Sequence, residues 1–180
     1  MDHRKEFSQL YETCHAPFLR YCSALSFGRM DVEDLVQDVL LSAYRNFSKL
    51  KNKDKLLHYL LRAARNRAIS MRRKQAKAPG TIDAQARNLM AKGANPEMIY
   101  DVQLLYKALD RLPAKQREAV ILFEITGFSM REIADLQGQS VAAIKMKVSR
   151  GRKKLQQLLT DRASTTNLSH FIQTAQLVLL

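Results

Sequence analysis

Among the side chains that could bind a ligand or take part in catalysis, Lys and Arg are the most strongly clustered in this sequence. The chain has 180 residues, of which 30 are Lys or Arg and 17 are Asp or Glu, and its net charge is +13. Residues 51–77 hold ten basic residues and one acidic residue, and residues 127–162 hold eight basic and three acidic residues. Two separate cationic segments indicate two contacts with one extended polyanion, for which the candidates are nucleic acid, an anionic membrane and an acidic protein surface.

An acidic cluster precedes the first cationic segment. Asp31, Glu33, Asp34 and Asp38 outnumber the two basic residues of the segment 31–50. Carboxylates at this spacing are compatible with a metal or acid–base site, but no second cluster of ligands accompanies them. They lie on the polar face of a predicted helix, which favours a solvated face or a docking surface for a protein partner.

Residues typical of metal sites and of catalysis are dispersed along the chain. Cys14 and Cys22 have only His15 nearby, so a zinc site lacks a fourth ligand, and two reduced thiols in a helical core are the alternative. The four His residues form no His-x-x-x-His pair, and there is no glycine-rich phosphate loop. We therefore predict no metal, no cofactor, no small-molecule substrate and no enzymatic activity.

Helices must position the charged groups, because Gly and Pro are scarce and apolar residues recur at spacings of three and four. We predict helices at residues 4–27, from an N-cap at Asp31 to about Phe47, and at residues 55–75. One side of the third helix is apolar, and the opposite side is a basic stripe without acidic residues: Lys55, Arg62, Arg65, Asn66, Ile69 and Arg73. This one-sidedness favours contact with a polyanion over simple solvation.

The second half of the chain contains a linker and then a compact motif. The Pro and Gly residues in the segment 76–100 interrupt helices, so we predict a linker there, with a short helix around residues 84–90. From Asp101 the apolar pattern resumes, and Pro113 is expected to end one helix and to occupy the first position of the next. Next, Ser129 caps a short helix, Gly138 permits a turn, and Ser140 caps a longer basic helix. This order predicts a helix-turn-helix motif, whose second helix fits the major groove of DNA.

Three stretches together resemble a bacterial RNA polymerase sigma factor of the compact extracytoplasmic-function (ECF) type. Residues 31–44 (DVEDLVQDVLLSAY) are similar to region 2.2 of that family, and residues 56–74 (LLHYLLRAARNRAISMRRK) are similar to its regions 2.3 and 2.4. Residues 108–159 look like region 4, and the whole resemblance covers roughly residues 5–160.

The resemblance implies an all-α protein with two helical domains. We expect a region 2-like bundle at residues 1–76, a linker at 77–100 and a region 4-like helix-turn-helix domain at 101–162. An uncharged extension at residues 163–180 lies beyond the resemblance. It is either a disordered tail or a small helix that docks on a partner or on the region 4-like domain.

The resemblance also implies a function: the protein is expected to direct core RNA polymerase to promoter DNA and to help open that DNA. The residues that match the family's polymerase-docking positions are Asp34, Gln37 and Asp38. The segments that match the readers of the −10 element supply Lys51, Lys53, Arg62, Arg65, Asn66 and Arg73. The residues assigned to the −35 element are Arg131, Lys145, Lys147, Ser149 and Arg150. An anti-sigma factor is a further implied partner, and we expect a cytoplasmic location.

The chain departs from the family at several positions, among them Gln137 and Gln139, which flank Gly138 where apolar residues are usual. These departures concern the promoter sequence more than the class of protein. The alternatives are a stand-alone helix-turn-helix regulator, a nucleic-acid-binding protein without sequence preference, and an enzyme acting on nucleic acid. The acidic face argues against the first, the capped recognition helix against the second, and the dispersed His and acidic residues against the third.

Overall fold

A computed structural model of the chain describes residues 3–75, 89–90, 93–160 and 167–179, without the side chains of residues 72–75 and 160. Contacts divide the chain into an N-terminal unit, Met1–Ile82, and a C-terminal unit, Asp83–Leu180. The described residues form helices and turns and contain no strand, so the predicted all-α class is confirmed. None of the helices in these ranges combines the length and apolar character that crossing a membrane requires.

Three mutually packed helices build the N-terminal unit: α1 (His3–Ser26), α2 (Val32–Asn46) and α3 (Leu56–Gln75). Two short 3₁₀ turns, Phe47–Lys49 and Lys53–Lys55, connect α2 to α3. The helix boundaries lie within one or two residues of those that the apolar periodicity predicts.

Apolar side chains from all three helices form the core of the N-terminal unit. Phe18, Phe47 and Leu60 are fully buried there, and both cysteines are buried free thiols. Burial raises the pKa of Cys22 to about 12 and also raises the pKa of Cys14. The thiols are therefore neutral core residues at physiological pH, as one of the two sequence-based alternatives proposed.

The C-terminal unit begins with α4 (Pro96–Leu109) and α5 (Ala114–Val120), and α5 continues into a π-helical turn at Ile121–Ile125. The helix-turn-helix follows as α6 (Met130–Gln137) and α7 (Val141–Thr160). Both α5 and α6 pack against α7, so the longest helix of this unit is held from two directions.

Two boundaries differ from the sequence prediction. α4 starts at Pro96 rather than at Asp101, because the Asn95 side chain accepts a hydrogen bond from the Met98 amide at 2.8 Å and caps the helix. Pro113 precedes α5 at the N-cap position instead of occupying its first turn. The short helix predicted around residues 84–90 falls almost entirely outside the described residues.

The C-terminal extension contains α8 (Leu168–Leu179), which packs against α4 and the π-helical turn. Two polar contacts tie it down: His170 Nε2 lies 2.8 Å from Asp101 Oδ2, and Gln176 Nε2 donates to the Glu124 carbonyl at 2.6 Å. The residues that it buries are Leu168, Phe171, Ile172, Thr174 and Ala175. Of the alternatives for this extension, the structure shows a helix docked on the C-terminal unit.

Candidate nucleic-acid interface

The outward surface of α2 carries an acidic face, formed by Glu33, Asp34, Gln37 and Asp38, all of which are exposed. Asp31 is not part of it, because its Oδ1 accepts hydrogen bonds from the Glu33 and Asp34 amides at 2.7 and 3.2 Å. That carboxylate caps the positive end of the helix, which fixes where α2 begins. The three residues assigned to polymerase docking thus lie together on one accessible helix surface.

Leu41 extends the acidic face by one turn and is 56% exposed. A large apolar side chain next to exposed carboxylates is the composition of a protein-contact surface with an apolar centre and a charged edge. Leu41 was not among the predicted site residues, although its exposure follows from its position four residues after Gln37 on the same helix face.

An ion pair joins the acidic face to α3. Arg67 Nη2 lies 2.5 Å from Asp38 Oδ2, and both side chains are nearly half exposed. Arg67 directly follows Asn66, so it is turned about 100° from the basic stripe and toward α2. The role of Arg67 was not predicted from the sequence. Its position off the basic stripe, on a helix that packs against an acidic helix, is the sequence feature that indicates this contact.

A cleft of about 560 Å³ lies beside this ion pair, between α2 and α3. It brings together a residue assigned to polymerase docking, Asp38, and two residues assigned to the −10 element, Arg62 and Asn66. The other polar side chains that line it are Ser42, Tyr59, Arg67 and Ser70. An amide, hydroxyls and guanidinium groups are the chemistry that holds a base edge and its phosphate.

The basic stripe of α3 is accessible along most of its length. Lys55, Arg62, Asn66 and Ile69 are exposed, and Arg65 is half-buried. The opposite surface of the helix is buried through Leu60, Leu61, Ala64 and Ala68. The side chain of Arg73 lies outside the described residues.

The loop between α2 and α3 is anchored through one of its lysines. Lys53 Nζ donates to both carboxylate oxygens of Glu6, at 2.8 and 2.7 Å, and lies 4.8 Å from the centre of the Phe47 ring. Lys51 on the same loop is exposed. The structure therefore ties Lys53 to the body of the unit, whereas Lys51 extends into solvent.

The helix-turn-helix is built by local capping. Ser129 and Glu132 form a reciprocal capping box at the start of α6, and the Ser140 hydroxyl accepts from the Ala143 amide at the start of α7. Gly138 adopts the left-handed conformation, with φ of 63°, and its amide donates to the Ala134 carbonyl. Ile144 is fully buried, which fixes the face that α7 turns inward.

The outward face of α7 is the second cationic surface. Lys145, Ser149 and Arg150 are exposed there, and Arg131 is exposed at the start of α6. Lys147 differs from them, because it is half-buried and contacts the side chains of the turn. The structure thus places four of the five residues assigned to the −35 element on accessible surface.

Gly151 allows α7 to lie close to α5. A β-carbon at this position would come within 2.5 Å of Val120 Cγ2 and 3.3 Å of Leu112 Cδ2. The role of Gly151 was not predicted from the sequence, because a glycine inside a predicted helix has no local role and is explained only by the close approach of a neighbouring helix.

Glu124 is a carboxylate of the C-terminal unit that is largely shielded from solvent. Its Oε1 lies 3.2 Å from Arg152 Nη1, without hydrogen-bond geometry, and 12% of its side chain is exposed. Burial raises the pKa of Glu124, and the nearby positive charge of Arg152 opposes that rise. The side chain of Arg152 is itself half exposed, so a cation on the surface of α7 lies next to this largely buried carboxylate.

Comparison with known proteins gives a consistent assignment. The family models for Sigma-70 region 2 and Sigma-70 region 4 match residues 10–78 and 103–155. The chain is 33% identical to the ECF RNA polymerase sigma factor EcfG of Rhodopseudomonas palustris (strain TIE-1), over 79% of this chain and 80% of that protein. It is 30% identical to the ECF RNA polymerase sigma factor SigM of Mycobacterium tuberculosis, over 87% and 78%.

Solved structures show the same architecture. The sigma factor RpoE of Bartonella quintana, crystallised with the anti-sigma factor NepR, matches with a TM-score of 0.58 and 30% identity, over 88% of this chain and 99% of that one. CnrH, in complex with the cytosolic domain of CnrY, shares the fold with a TM-score of 0.55 at 22% identity, over 87% and 89%. α8 lies outside both family-model matches. The chain belongs to the ECF family of RNA polymerase sigma factors, which direct the polymerase to promoters.

Proposed function

We propose that this sigma factor divides its task among three surfaces. The acidic face of α2, through Asp34, Gln37 and Asp38, docks on a basic surface of core RNA polymerase. The residues that contact the −10 element are Lys51, Lys53, Arg62, Arg65, Asn66 and Arg73. The residues that contact the −35 element are Arg131, Lys145, Lys147, Ser149 and Arg150.

The observation that carries this proposal is the opposite charge of two packed helices in one unit. α2 presents carboxylates outward, and α3 presents arginines along a separate stripe. A protein that binds only DNA gains nothing from an exposed acidic face, because carboxylates repel phosphates. An adaptor between a basic protein surface and DNA needs both signs of charge on different sides.

Several finer statements belong to the same proposal. The protein acts as a binding subunit without catalytic activity of its own, and it works with the polymerase in the cell interior. An anti-sigma factor restrains it, as the crystallised complexes of RpoE with NepR and of CnrH with CnrY suggest. Such an inhibitor must cover at least one of the three surfaces, since each is needed for initiation.

Run-off transcription tests the proposal directly. Bacterial core RNA polymerase, freed of sigma factors, is supplied with this protein and a library of promoter fragments, and initiated transcripts are sequenced. We expect initiation from a subset that shares two sequence elements. If the protein binds duplex DNA specifically but never stimulates initiation, the stand-alone helix-turn-helix regulator is the correct function instead.

A further inference from the structure

Met146 is a large apolar residue on the cationic surface of α7, and it is 52% exposed. It lies two residues from each of the buried residues Ile144 and Val148. Because each residue of an α-helix is turned by about 100° from the previous one, Met146 is turned by about 160° from both of them. Its side chain therefore extends from the middle of the face that α7 turns away from the core of its unit.

The neighbours of Met146 on this face are cationic or small. Lys145 is the adjacent residue, Arg150 follows one turn later, and Ala142 precedes by one turn. All three are exposed, and the sequence of α7 contains no acidic residue. An exposed apolar side chain among cations suits a polyanion better than a protein surface of mixed charge. The small side chain of Ala142 lets such a ligand approach this face of the helix closely.

Duplex DNA presents one methyl group to a recognition helix. This methyl group, at C5 of thymine, lies in the major groove among base-edge donors and acceptors that a thioether satisfies poorly. Met146 is the sixth residue of α7, and the N-terminal residues of a recognition helix are those that reach base edges. The flexible, unbranched methionine side chain adapts to an apolar group, while neighbouring cations can contact phosphates.

We propose that Met146 reads one thymine of the −35 element through contact between its side chain and the C5 methyl group. The contact removes apolar surface of both partners from water, and it distinguishes thymine from cytosine and uracil, which lack the methyl group. The inference rests on the proposed function of α7. It adds a specificity-determining residue outside the five assigned to the −35 element, together with the base that this residue recognises.

The test removes the methyl group from DNA. Holoenzyme first selects among promoters randomised in the −35 element and fixed in the −10 element. Uracil then replaces each thymine of the selected −35 element in turn, which deletes one methyl group and keeps all base-pairing groups. We expect one position at which uracil weakens holoenzyme binding about threefold to fourfold, the factor that burial of one methyl group gives.

Variants of the protein assign this methyl preference to a residue. Met146→Ala should bind the thymine and uracil promoters equally at that position, because its side chain no longer reaches the methyl group. Met146→Leu keeps a long apolar side chain and should retain a preference of at least about twofold. Lys145→Ala should weaken both promoters and keep their ratio. Leu177→Ala, which truncates an exposed apolar residue of α8, should change neither promoter.

The salt dependence of binding provides a second readout. Met146→Ala removes no charge, so it should leave the salt slope unchanged, whereas Lys145→Ala should lower the slope by about one if it contacts a phosphate. A salt slope that falls in Met146→Ala would show that this variant disturbs the placement of the neighbouring cations. The methyl contact would then not explain its loss of binding, and the inference would be overturned.

Failure of the inference differs from failure of the proposed function. The thymine assignment is wrong if the selected −35 element contains no thymine, if uracil is tolerated at every position, or if the methyl preference persists in Met146→Ala. In each of these cases α7 still reads the −35 element. If unmodified holoenzyme selects no −35 sequence at all, the assignment of α7 to that element is wrong, and this inference is overturned with it.

Discussion

The two cationic helices of this protein hold their charges in different ways. In the N-terminal unit, Lys53 pairs with Glu6 of α1 and Arg67 pairs with Asp38 of α2, so a carboxylate partners each of these cations. On α7, Lys147 contacts the side-chain amides of Gln137 and Gln139, and Lys145 and Arg150 are exposed. In the proposed function, the N-terminal unit binds the polymerase and DNA through different surfaces, and α7 contacts DNA. One cation of α7, Arg152, lies 3.2 Å from the Glu124 carboxylate, near the C-terminal half of the helix.

Reversing the charge at Asp38 should have the largest effect of the substitutions considered, because it removes a carboxylate of the acidic face. Asp38→Arg places a cation against the proposed basic polymerase surface and also against Arg67. We expect core polymerase affinity to fall by at least about tenfold, because like charges at an interface cost several kcal/mol. The measurement is a binding titration with core polymerase, with Glu12→Arg on the exposed surface of α1 as the matched control. Equal affinities of the two variants would remove α2 from the interface.

Truncating an exposed cation on α7 tests how this helix contributes to binding of promoter duplex. Arg150→Ala should cost about 1–3 kcal/mol on promoter duplex and relax one base position if the guanidinium reads a base. Lys154→Ala, exposed further along the helix, should weaken all sequences alike. Competition binding with single-base promoter variants distinguishes the two patterns. A uniform loss for Arg150→Ala would make it a phosphate contact.

Two arginines of α3 that line the α2–α3 cleft should differ in their contribution to −10 binding. Arg62 is exposed on the basic stripe, whereas the charge of Arg67 is already partnered by Asp38. We expect Arg62→Ala to weaken holoenzyme binding to single-stranded −10 DNA about fivefold, and Arg67→Ala less than about twofold. Fluorescence anisotropy at several salt concentrations gives both values. A larger loss for Arg67 would mean that DNA, rather than Asp38, is its main partner in the complex.

The local sequence pattern was enough to predict most of the helices and their caps, but not which helices pack against each other. Asp31, Ser129, Gly138 and Ser140 act within a few residues of themselves, so the sequence predicted their capping and turn roles correctly. The docking of α8 depends on contacts with residues some 50 to 70 positions earlier, such as Gln176 with Glu124 and His170 with Asp101. Periodicity could show that residues 163–180 might form a helix, but not which surface would bury it.

The candidate site shows the same division. Its exposed members follow from helix periodicity, which predicts the acidic face and the basic stripe from spacing alone. The ion pair of Asp38 with Arg67 joins residues 29 positions apart, and the close approach at Gly151 depends on Val120 of another helix. Such contacts require the packing distance between helices, which no single-helix pattern contains. The assigned contacts of the site with polymerase and DNA stay predictions.

Neutralising Glu124 should produce the smallest of these effects. It tests whether a carboxylate also stabilises a cation of α7, as carboxylates do in the N-terminal unit. Burial raises the pKa of this carboxyl in the folded state, so the folded state binds its proton more tightly than the unfolded state does. This stabilising contribution is complete below the unfolded pKa of about 4.3, and it is lost as the pH rises through the folded pKa. Glu124→Gln, which cannot ionise, should therefore raise the melting temperature slightly at pH 7 and leave it unchanged near pH 4.

Thermal unfolding between pH 4 and pH 8 measures the difference, with Glu12→Gln as the exposed control. A lower melting temperature for Glu124→Gln at pH 7 would instead mean that attraction between Glu124 and Arg152 outweighs burial, and that α7 too depends on a carboxylate partner.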